Sequence, residues 1–465
     1  MVTVNCEGMG MKFSQNVDVV VVGGGLAGCE AAWQIAEAGY HVCLFEMRPE
    51  RKTEAHDTDD LAELVCSNSL KSLSEESAPG LLKHELQHLG SFILKAAFEA
   101  KVPGGQALTV DRKVFAKAVT KAISEHPRIH IERREILDPI AEADGLPQTK
   151  GSLILLASGP LTSPALCSFV ESLCGDQKRL FFYDAIAPIL DADSIDKSIA
   201  FEADRYGKGS ADYLNLPFSK DEYEAFITAA AEAEKMPLHG FEDTKYFESC
   251  LPIEVMIERG RETLRFGPMK PVGLVDPRTG QRPWAAVQLR MENTQASMYS
   301  MVGFQTKMKW PEQKRVFRMI PGLKDAEFHR FGSIHRNTYV NSPKVLNSDL
   351  SFKSLNRIFL AGQITGVEGY TESTSMGMMA AKSMISRLRG QSFVAPNSMT
   401  MIGALLDYVT KGGLGNFQPM NCNFGLLPAP TIEAPRKKVD KSQKKLQQCV
   451  NARQSFSQYV LNQPI

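Results

Sequence analysis

A glycine-rich segment near the start of the chain carries the clearest chemical signal. It consists of Gly23, Gly24, Gly25, Leu26, Ala27 and Gly28. At the GxGxxG spacing, Gly23 allows a tight turn, Gly25 lets the backbone approach a pyrophosphate, and Gly28 lets a helix pack closely on a strand. The free N–H groups of a helix that begins here would bind the phosphates. The segment therefore predicts a dinucleotide site, with a purely structural glycine turn as the alternative.

The elements around this segment fit that interpretation. Residues 17–22 read VDVVVV, which predicts a buried parallel strand running directly into the glycines. A helix is expected to follow and to stop at Gly39, and a second strand over 41–45 ends on Glu46. A carboxylate at the end of the second strand of such a unit holds ribose hydroxyls, so Glu46 is a predicted cofactor residue.

Two later strand-to-glycine segments are expected to join the same site. Residues 153–157 predict a strand ending at Gly159, and residues 357–360 predict another that leads into Gly362 and Gln363. Ligand-facing loops lie at the carboxyl ends of the strands in an open α/β sheet, so distant segments converge there. The late segment lacks a second complete fingerprint, which favours a tightly held FAD over a transient nicotinamide. Gln363 stands where flavoproteins often carry an aspartate, which makes this contact weaker support.

A segment of small residues, 371–381, predicts a helix whose N-terminus could face the flavin and stabilise negative charge on its reduced ring. Close helix packing is the alternative explanation of the small residues, and the two are compatible.

The fold class that follows is α/β: a Rossmann-like FAD-binding domain of glutathione-reductase type, interrupted by a smaller inserted α+β domain. Residues 1–178 form the first part of the FAD-binding domain, 179–334 the inserted domain, 335–430 the second part, and 431–465 a basic C-terminal tail. Short β-rich runs and a helix with a capping box at Ser219 and Glu222 mark the inserted domain. Six basic residues and one acid in 436–445 indicate either a solvated helix or a phosphate contact.

Two of the nine cysteines have surroundings that could support thiol chemistry. Cys66 lies in AELVCSNSL, among small hydroxyl and amide residues. Cys250 precedes a stretch that holds Arg259, Arg261, Arg265 and Lys270. Cations lower the pKa of a thiol and raise its thiolate fraction, although a cysteine in such a context is more often inert than catalytic.

A zincin-like HExxH pattern is formed by His84, Glu85 and His88. No third ligand follows at a zincin spacing, and the flanking leucines predict an ordinary amphipathic helix with solvated histidines. We expect no metal site.

The composition of the chain limits its possible partners and cellular location. The chain has 465 residues with 53 basic and 53 acidic side chains, which argues against broad coating of nucleic acid. An odd number of cysteines without a CxxC pair fits a reducing compartment. No long apolar run or secretory signal is present, so the expected location is the cytoplasm, with no membrane partner.

The sequence closely resembles those of the folate- and FAD-dependent tRNA (uracil-5-)-methyltransferase family of bacteria. The resemblance covers essentially the whole chain and rests on long motifs peculiar to that family. They are GGGLAGCEAAWQIA, AELVCSNSLKS, VPGGQALTVDR, SGPLTSPAL, FYDAIAPI, SCLPIEVM, RGRETLRFGPMKPVGLVDPRTG, VGFQTKMKWPEQKRVFRMIPGL, HRNTYV and CNFGLLP.

The resemblance implies that NAD(P)H reduces bound FAD, that methylenetetrahydrofolate supplies the carbon, and that 5-methyluridine forms in the T-loop of tRNA. Cys250, in SCLPIEVM, is then the candidate thiolate that adds to uracil C6, with the cations of residues 259–270 near the developing O4 charge. Cys66, in ELVCSNS, is implied to lie by the flavin, either as general base for the C5 proton or as protector of the carbon unit held there. The same chemistry on a ribosomal RNA uridine, a plain FAD-dependent NAD(P)H oxidoreductase and a noncatalytic RNA-binding module are the alternatives.

Overall fold

The computed structural model describes residues 16–53, 55–145, 148–175, 180–205, 211–236, 251–412, 417–430 and 441–462. Cys250 and the first basic residues of the tail, Arg436 to Lys438, lie outside the described residues. The domain boundaries given above stay predictions.

The described residues contain sixteen strands and fourteen α-helices. The strands are β1 (Val19–Val22), β2 (Val42–Phe45), β3 (Ser69–Ser72), β4 (Lys101–Val102), β5 (Ala107–Val110), β6 (Ile129–Glu132), β7 (Leu153–Leu156), β8 (Leu180–Ile186), β9 (Ile189–Asp191), β10 (Phe201–Glu202), β11 (Tyr213–Phe218), β12 (Ala285–Met291), β13 (Met298–Met301), β14 (Phe328–Arg330), β15 (Ser333–Tyr339) and β16 (Ile358–Leu360). The helices are α1 (Leu26–Glu37), α2 (Ala78–His88), α3 (Phe92–Glu99), α4 (Arg112–Glu125), α5 (Pro139–Gly145), α6 (Pro164–Leu173), α7 (Lys220–Glu232), α8 (Ile253–Arg259), α9 (Thr263–Phe266), α10 (Trp310–Phe317), α11 (Ser342–Val345), α12 (Tyr370–Leu388), α13 (Met401–Lys411) and α14 (Lys441–Leu461).

A five-stranded parallel sheet carries the dinucleotide segment. Its order is β16-β7-β1-β2-β6, and every pairing in it is parallel. The β-branched and aliphatic residues of β1, β2 and β7 are buried throughout, as expected of strands covered on both faces. The three strands predicted to end in glycine-containing loops, β1, β7 and β16, are direct neighbours, which confirms the predicted convergence of their carboxyl ends.

Helices α1 and α12 pack against each other at van der Waals contact of their backbones. A Cβ atom at Gly377 would lie 2.3 Å from the carbonyl oxygen of Ala27, and one at Gly28 would lie 1.9 Å from that of Gly23. Only glycine fits at these two positions. The small residues of α12 therefore serve close packing, and the N-terminus of the same helix is free to reach the site described below.

A second sheet is antiparallel and has the order β10-β11-β12-β13-β9-β14. All of its strands fall within residues 189–330, and it encloses a separate core with the buried rings of Phe226, Phe304 and Phe317. The capping box predicted at Ser219 and Glu222 is present at the start of α7. The antiparallel pair of β8 and β15 leads the chain into and out of this unit.

The HExxH segment has a structural explanation. Both carboxyl oxygens of buried Glu85 accept backbone N–H groups of α13, from Met401 and from Ile402, each at 2.8 Å. Burial raises the pKa of Glu85 to about 8, against the lowering effect of these two donors. Its oxygens are engaged in capping α13, and it is not placed to act as a base at a metal.

Helix α14 combines a solvated start with a packed remainder. Lys444 and Lys445 are exposed, as a solvated basic helix predicts, whereas Cys449 and Phe456 are buried and Arg453 pairs with Glu75 at 3.0 Å. Among the helices of the described residues, none combines the length and the apolar character needed to cross a membrane.

We expect Glu85→Gln to lower the free energy of unfolding by about 1–3 kcal/mol, because the amide –NH2 would face an N–H donor of α13 and leave it unsatisfied in the core. Chemical denaturation followed by circular dichroism measures the change. His84→Ala, at the neighbouring position of the motif, is the matched control and should change stability by less than about 0.5 kcal/mol. Equal stabilities of the two variants would contradict the capping role.

Candidate functional site

A cleft opens at the carboxyl ends of β1, β7 and β16. With its open mouth it encloses about 1070 Å³ of space free of protein atoms. Eight of the nine residues predicted to bind the cofactor line it: Gly23, Gly24, Gly25, Leu26, Ala27, Glu46, Gly362 and Gln363. Gly28 does not line the cleft and acts beneath it, where its missing side chain lets α1 approach Gly23.

The N-terminus of α1 is built to receive an anion. Gly25 precedes the helix without a side-chain cap, and the first turn contains no acidic residue. A Cβ atom on Gly25 would meet no protein atom within 4 Å, so this edge of the cleft is open space beside unpaired helix N–H groups. Gly23 adopts φ +109°, a conformation that favours glycine, and this turn aims the helix at the cleft.

Glu46 is ionised and retains acceptor capacity towards the cleft. Its Oε2 accepts the N–H of Gly24 at 3.0 Å, and its Oε1 accepts both the backbone N–H and the Nε of Arg48. Burial alone would raise the pKa of Glu46, but Arg48 and Gly24 together hold it below its usual value. One lone pair of Oε2 is therefore left for a hydroxyl group of a ligand.

Arg48 is a residue that the sequence analysis missed. It is almost fully buried and forms ion pairs with Glu46 at 2.9 Å and with Glu63 at 3.1 Å. A ribose 2′-phosphate is usually bound by an arginine at this place. Because two carboxylates already neutralise Arg48, the site suits a ribose with free hydroxyls.

His56 also lines the cleft and was not anticipated from the sequence. Its Nδ1 lies 2.6 Å from the hydroxyl of Thr53. Burial, helped by the nearby charge of Arg48, lowers the pKa of His56 to about 4. The imidazole is thus neutral at physiological pH and adds a polar group to the cleft without adding a charge.

Cys66 lies at the rim of the cleft. The hydroxyl oxygen of Tyr370 accepts the backbone N–H groups of Cys66 at 2.9 Å and of Ser67 at 3.0 Å. Tyr370 and Val65 both line the cleft, so the segment that carries Cys66 borders it directly. The place by the flavin that the family resemblance implies for Cys66 stays a prediction.

Tyr370 fixes this segment from the first residue of α12. Burial raises the pKa of its phenol well above the ordinary value, so the phenol keeps its proton. With two N–H groups accepted, the hydroxyl still has that proton to donate. The only sequence signal for Tyr370 is its position at the N-terminus of the helix that was expected to face the cofactor.

An ion pair behind Tyr370 holds the same two elements together. Lys71, on β3, donates to the buried carboxylate of Glu372 at 2.6 Å and to the carbonyl of Glu368 at 3.3 Å. Burial opposes both charges, yet each partner stabilises the other: the pKa of Lys71 is raised and that of Glu372 is lowered. The Cys66 segment is therefore attached to α12 at two points.

The inserted domain forms hydrogen bonds to the Cys66 segment on the side opposite α12. Arg290, on β12, donates to the Oδ1 of Asn68 at 2.8 Å and to the hydroxyl of Ser67 at 3.0 Å. The amide nitrogen of Asn68 donates in return to the carbonyl of Met291 at 2.9 Å. These contacts fix the inserted domain directly beside Cys66.

Arg112 supplies a buried positive charge to this corner. It pairs with Glu292 at 2.7 Å and donates to the carbonyl of Leu64 at 3.0 Å. Its charge interacts with both Tyr370 and Cys66. Arg112 and Glu292 thus form a buried ion pair beside the segment that carries Cys66.

Cys250 itself lies outside the described residues, but the helix that follows it is firmly anchored. Ile253 donates its N–H to the carbonyl of Gln305 at 2.8 Å. The buried carboxylate of Glu254 accepts the hydroxyl of Thr306 and, at 3.2 Å, the N–H of Lys307. The start of α8 is thus set by residues 305–307.

Two of the four cations near Cys250 in sequence form contacts with other residues of the inserted domain. Arg261 donates to the hydroxyl of Thr228 at 2.6 Å. Arg265 donates to the carbonyl of Trp284 at 2.9 Å and stacks over the same indole at 3.8 Å. The sequence could not reveal these partners, because both lie on other elements.

Comparison with known proteins agrees with this geometry. The family described as glucose inhibited division protein A matches residues 18–392. A protein of Geobacter sulfurreducens named methylenetetrahydrofolate--tRNA-(uracil-5-)-methyltransferase TrmFO is 52% identical over 424 residues, covering 91% of this chain and 95% of that protein. One of the same name from Bdellovibrio bacteriovorus is 51% identical over 449 residues, covering 96% and 99% respectively. The form I crystal structure of Aquifex aeolicus GidA shares the fold, with a TM-score of 0.67 at 19% identity over 96% of this chain and 78% of that one.

We expect Tyr370→Phe to speed hydrogen exchange at the amides of Cys66 and Ser67 and to lower the free energy of unfolding by about 1–3 kcal/mol, because both N–H groups lose their acceptor. Exchange followed by mass spectrometry or NMR measures the effect. Tyr408→Phe, which removes a hydroxyl bonded to the carbonyl of Gln418, is the control and should leave these two amides unchanged. Unaltered exchange in Tyr370→Phe would exclude the anchoring role.

Proposed function

The chain belongs to the methylenetetrahydrofolate–tRNA-(uracil-5-)-methyltransferase family, and on that premise we propose that it forms 5-methyluridine in the T-loop of tRNA. Methylenetetrahydrofolate is the carbon donor, and NAD(P)H is the reductant. The observation that carries the proposal is the 51–52% identity over more than nine-tenths of the chain to relatives of that name.

FAD is the cofactor that the cleft fits. The open space at Gly25 beside the N-terminus of α1 suits a pyrophosphate, and the remaining lone pair of Glu46 suits a ribose hydroxyl. The neutralised Arg48 is consistent with a ribose that carries no 2′-phosphate. Bound FAD supplies the electrons that reduce the transferred carbon to a methyl group.

Cys250 is our candidate for the nucleophile. Uracil C5 is a poor nucleophile until a thiolate adds to C6 and gives the ring enolate character. Helix α8, which begins three residues after Cys250 in the sequence, is anchored to residues 305–307. The cations of residues 259–270 are our candidates for stabilising the charge on O4.

Cys66 is our candidate for the general base that removes the C5 proton. A cysteine acts as a base in its thiolate form, and the buried Arg112–Glu292 ion pair lies beside the Cys66 segment. The proton of Tyr370 Oη is a further donor beside it. Protection of the carbon unit on the flavin is the alternative role for Cys66.

The cytoplasm is the compartment that we propose. None of the seven cysteines in the described residues forms a disulfide, which suits a reducing environment.

Transfer of label tests the function directly. The protein is incubated with NADPH, methylenetetrahydrofolate labelled in the methylene carbon, and either a tRNA transcript or a ribosomal RNA fragment. We expect label at C5 of the T-loop uridine of the tRNA. Label only in ribosomal RNA would favour that substrate, and NADPH oxidation without label in either RNA would indicate a plain flavin oxidoreductase.

We expect Cys250→Ala to abolish both methylation and any covalent adduct with RNA while FAD stays bound. The loss follows because C6 has no nucleophile, whereas the cleft is unaltered. Adduct formation is measured by denaturing gel electrophoresis, and flavin content by absorbance. Cys449→Ala, in the packed part of α14, is the matched control and should methylate normally. Normal turnover of Cys250→Ala would remove the assignment.

We expect Glu46→Gln to weaken FAD binding by about tenfold or more, because a charge-assisted hydrogen bond to the ribose is lost. Flavin content after dialysis and titration of the apoprotein measure the change. Glu132→Gln, a carboxylate at the end of the neighbouring strand β6 and not part of the cleft lining, should retain the flavin. Full flavin content in Glu46→Gln would contradict the role of Glu46.

A further inference from the structure

An aromatic stack stands at the surface of the inserted domain. The ring of Trp310 stacks on that of Phe331 at 5.9 Å between centroids, and Phe331 stacks on Phe328 at 4.9 Å, each pair with an interplanar angle of 17°. Trp310 is the outermost of the three rings and is 60% exposed. An indole of this size held at the surface leaves a large flat apolar area in water, which is unusual for a residue that serves packing alone.

The stack is held rigidly. Buried Gln313, on α10, donates its amide N–H groups to the carbonyls of Met308 at 2.8 Å and of Gly332 at 2.9 Å, and its Oε1 accepts the N–H of Gly332 at 2.8 Å. These bonds tie the start of α10, where Trp310 lies, to the loop that carries Phe331. A ligand ring that stacks on Trp310 would therefore meet a preorganised surface.

The segment around Trp310 is basic. Residues 307–318 contain five basic side chains and one acid. Three of the cations are paired with carboxylates; Lys314 is exposed, and Arg318 keeps its charge while donating to the carbonyl of Ala326. The pairs are Lys307 with Glu258, Lys309 with Glu234, and Arg315 with Glu312. An aromatic platform beside cations is the combination that binds unpaired nucleotides, because the ring stacks a base and the cations contact its phosphates.

The stack lies close to the segment that carries Cys66 and to the start of α8. Arg330, between Phe328 and Phe331 in sequence, donates to the carbonyls of Val65 and Ala55 at 3.3 Å each, and Val65 directly precedes Cys66. On the other side, residues 305–307 anchor the start of α8, and Trp310 follows three residues later. A nucleobase on Trp310 would thus neighbour the rim where the reacting uridine must enter.

We infer that the exposed face of Trp310 stacks an unpaired nucleobase of the RNA substrate, at a subsite separate from the pocket of the reacting uracil. The inference rests on the proposed function for the identity of the RNA. Folate also has flat rings and an acidic tail, but it must react inside the cleft, and none of the three stacked rings lines that cleft. The RNA is therefore the ligand that this outer surface fits.

Two variants at Trp310 separate stacking from general packing. Trp310→Phe keeps an aromatic face, whereas Trp310→Leu keeps apolar cover and removes the π surface. With a T-arm stem-loop RNA as the probe, we expect Trp310→Leu to bind about tenfold more weakly and Trp310→Phe to lose much less, as expected for one base stack. The KM for RNA should rise in parallel, while the rate of flavin reduction by NADPH without RNA stays unchanged. Val394→Ala, which removes an exposed apolar side chain outside the inserted domain, should bind normally.

Tryptophan fluorescence gives a direct readout that needs no turnover. RNA added to the holoenzyme should quench the emission of Trp310, and this quenching should disappear in Trp310→Phe. Trp284→Phe is the matched control, because Trp284 already carries Arg265 on its ring at 3.8 Å, and it should retain the quenching.

The outcomes distinguish failure of the stacking subsite from failure of the proposed methyltransferase function. Unchanged RNA affinity in Trp310→Leu, or quenching that persists in Trp310→Phe, overturns the stacking subsite even if methylation is normal. A raised KM for folate with unchanged RNA affinity overturns it in favour of folate. Quenching and tenfold weakening as expected, without label transfer by the wild-type protein, supports the subsite and rejects the methyltransferase function. Failure of the wild-type protein to bind the RNA rejects both.

Discussion

The close approach of α1 to β1 on one side and to α12 on the other is the constraint on which the site depends. A side chain at Gly28 would collide with Gly23, and one at Gly377 would collide with Ala27. With these side chains absent, the N-termini of α1 and α12 reach the same cleft at the carboxyl ends of the parallel strands. The first helix presents unpaired N–H groups to a phosphate, and the second presents Tyr370.

Helix α12 is bonded to the segment that carries Cys66, and this segment is bonded in turn to the inserted domain. Tyr370 accepts two N–H groups of that segment, Lys71 pairs with Glu372 behind it, and Arg290 holds Ser67 and Asn68 from the antiparallel sheet. The segment is thus bonded to α12 at two points and to β12 from the other side. These bonds restrain the backbone around Cys66 from both sides.

The roles of several charged residues in the folded chain differ from those that their sequence contexts suggest. Glu85 lies in a metal-site pattern but caps a distant helix, and Arg265, close in sequence to Cys250, is used to stack on Trp284. Arg48, which no motif singled out, neutralises two carboxylates in the cofactor cleft. Arg48 is buried, and a buried charge must be paired with partners that only the fold brings to it.

The sequence alone predicted the strand–glycine–helix unit, Glu46 and the convergence of three strand ends, because these follow from local requirements: a backbone with φ above zero, a helix start without side chains, and a strand buried on both faces. The family followed from the long motifs that the chain shares with it. The partners of Cys66, Glu85 and Trp310 were decided only by the tertiary structure. Tyr370 lies 304 residues from Cys66, and Met401 lies 316 residues from Glu85. Hydrogen bonds and ring stacking act over a few ångströms, so contacts between such distant residues exist only after the chain has folded, and no local pattern encodes them.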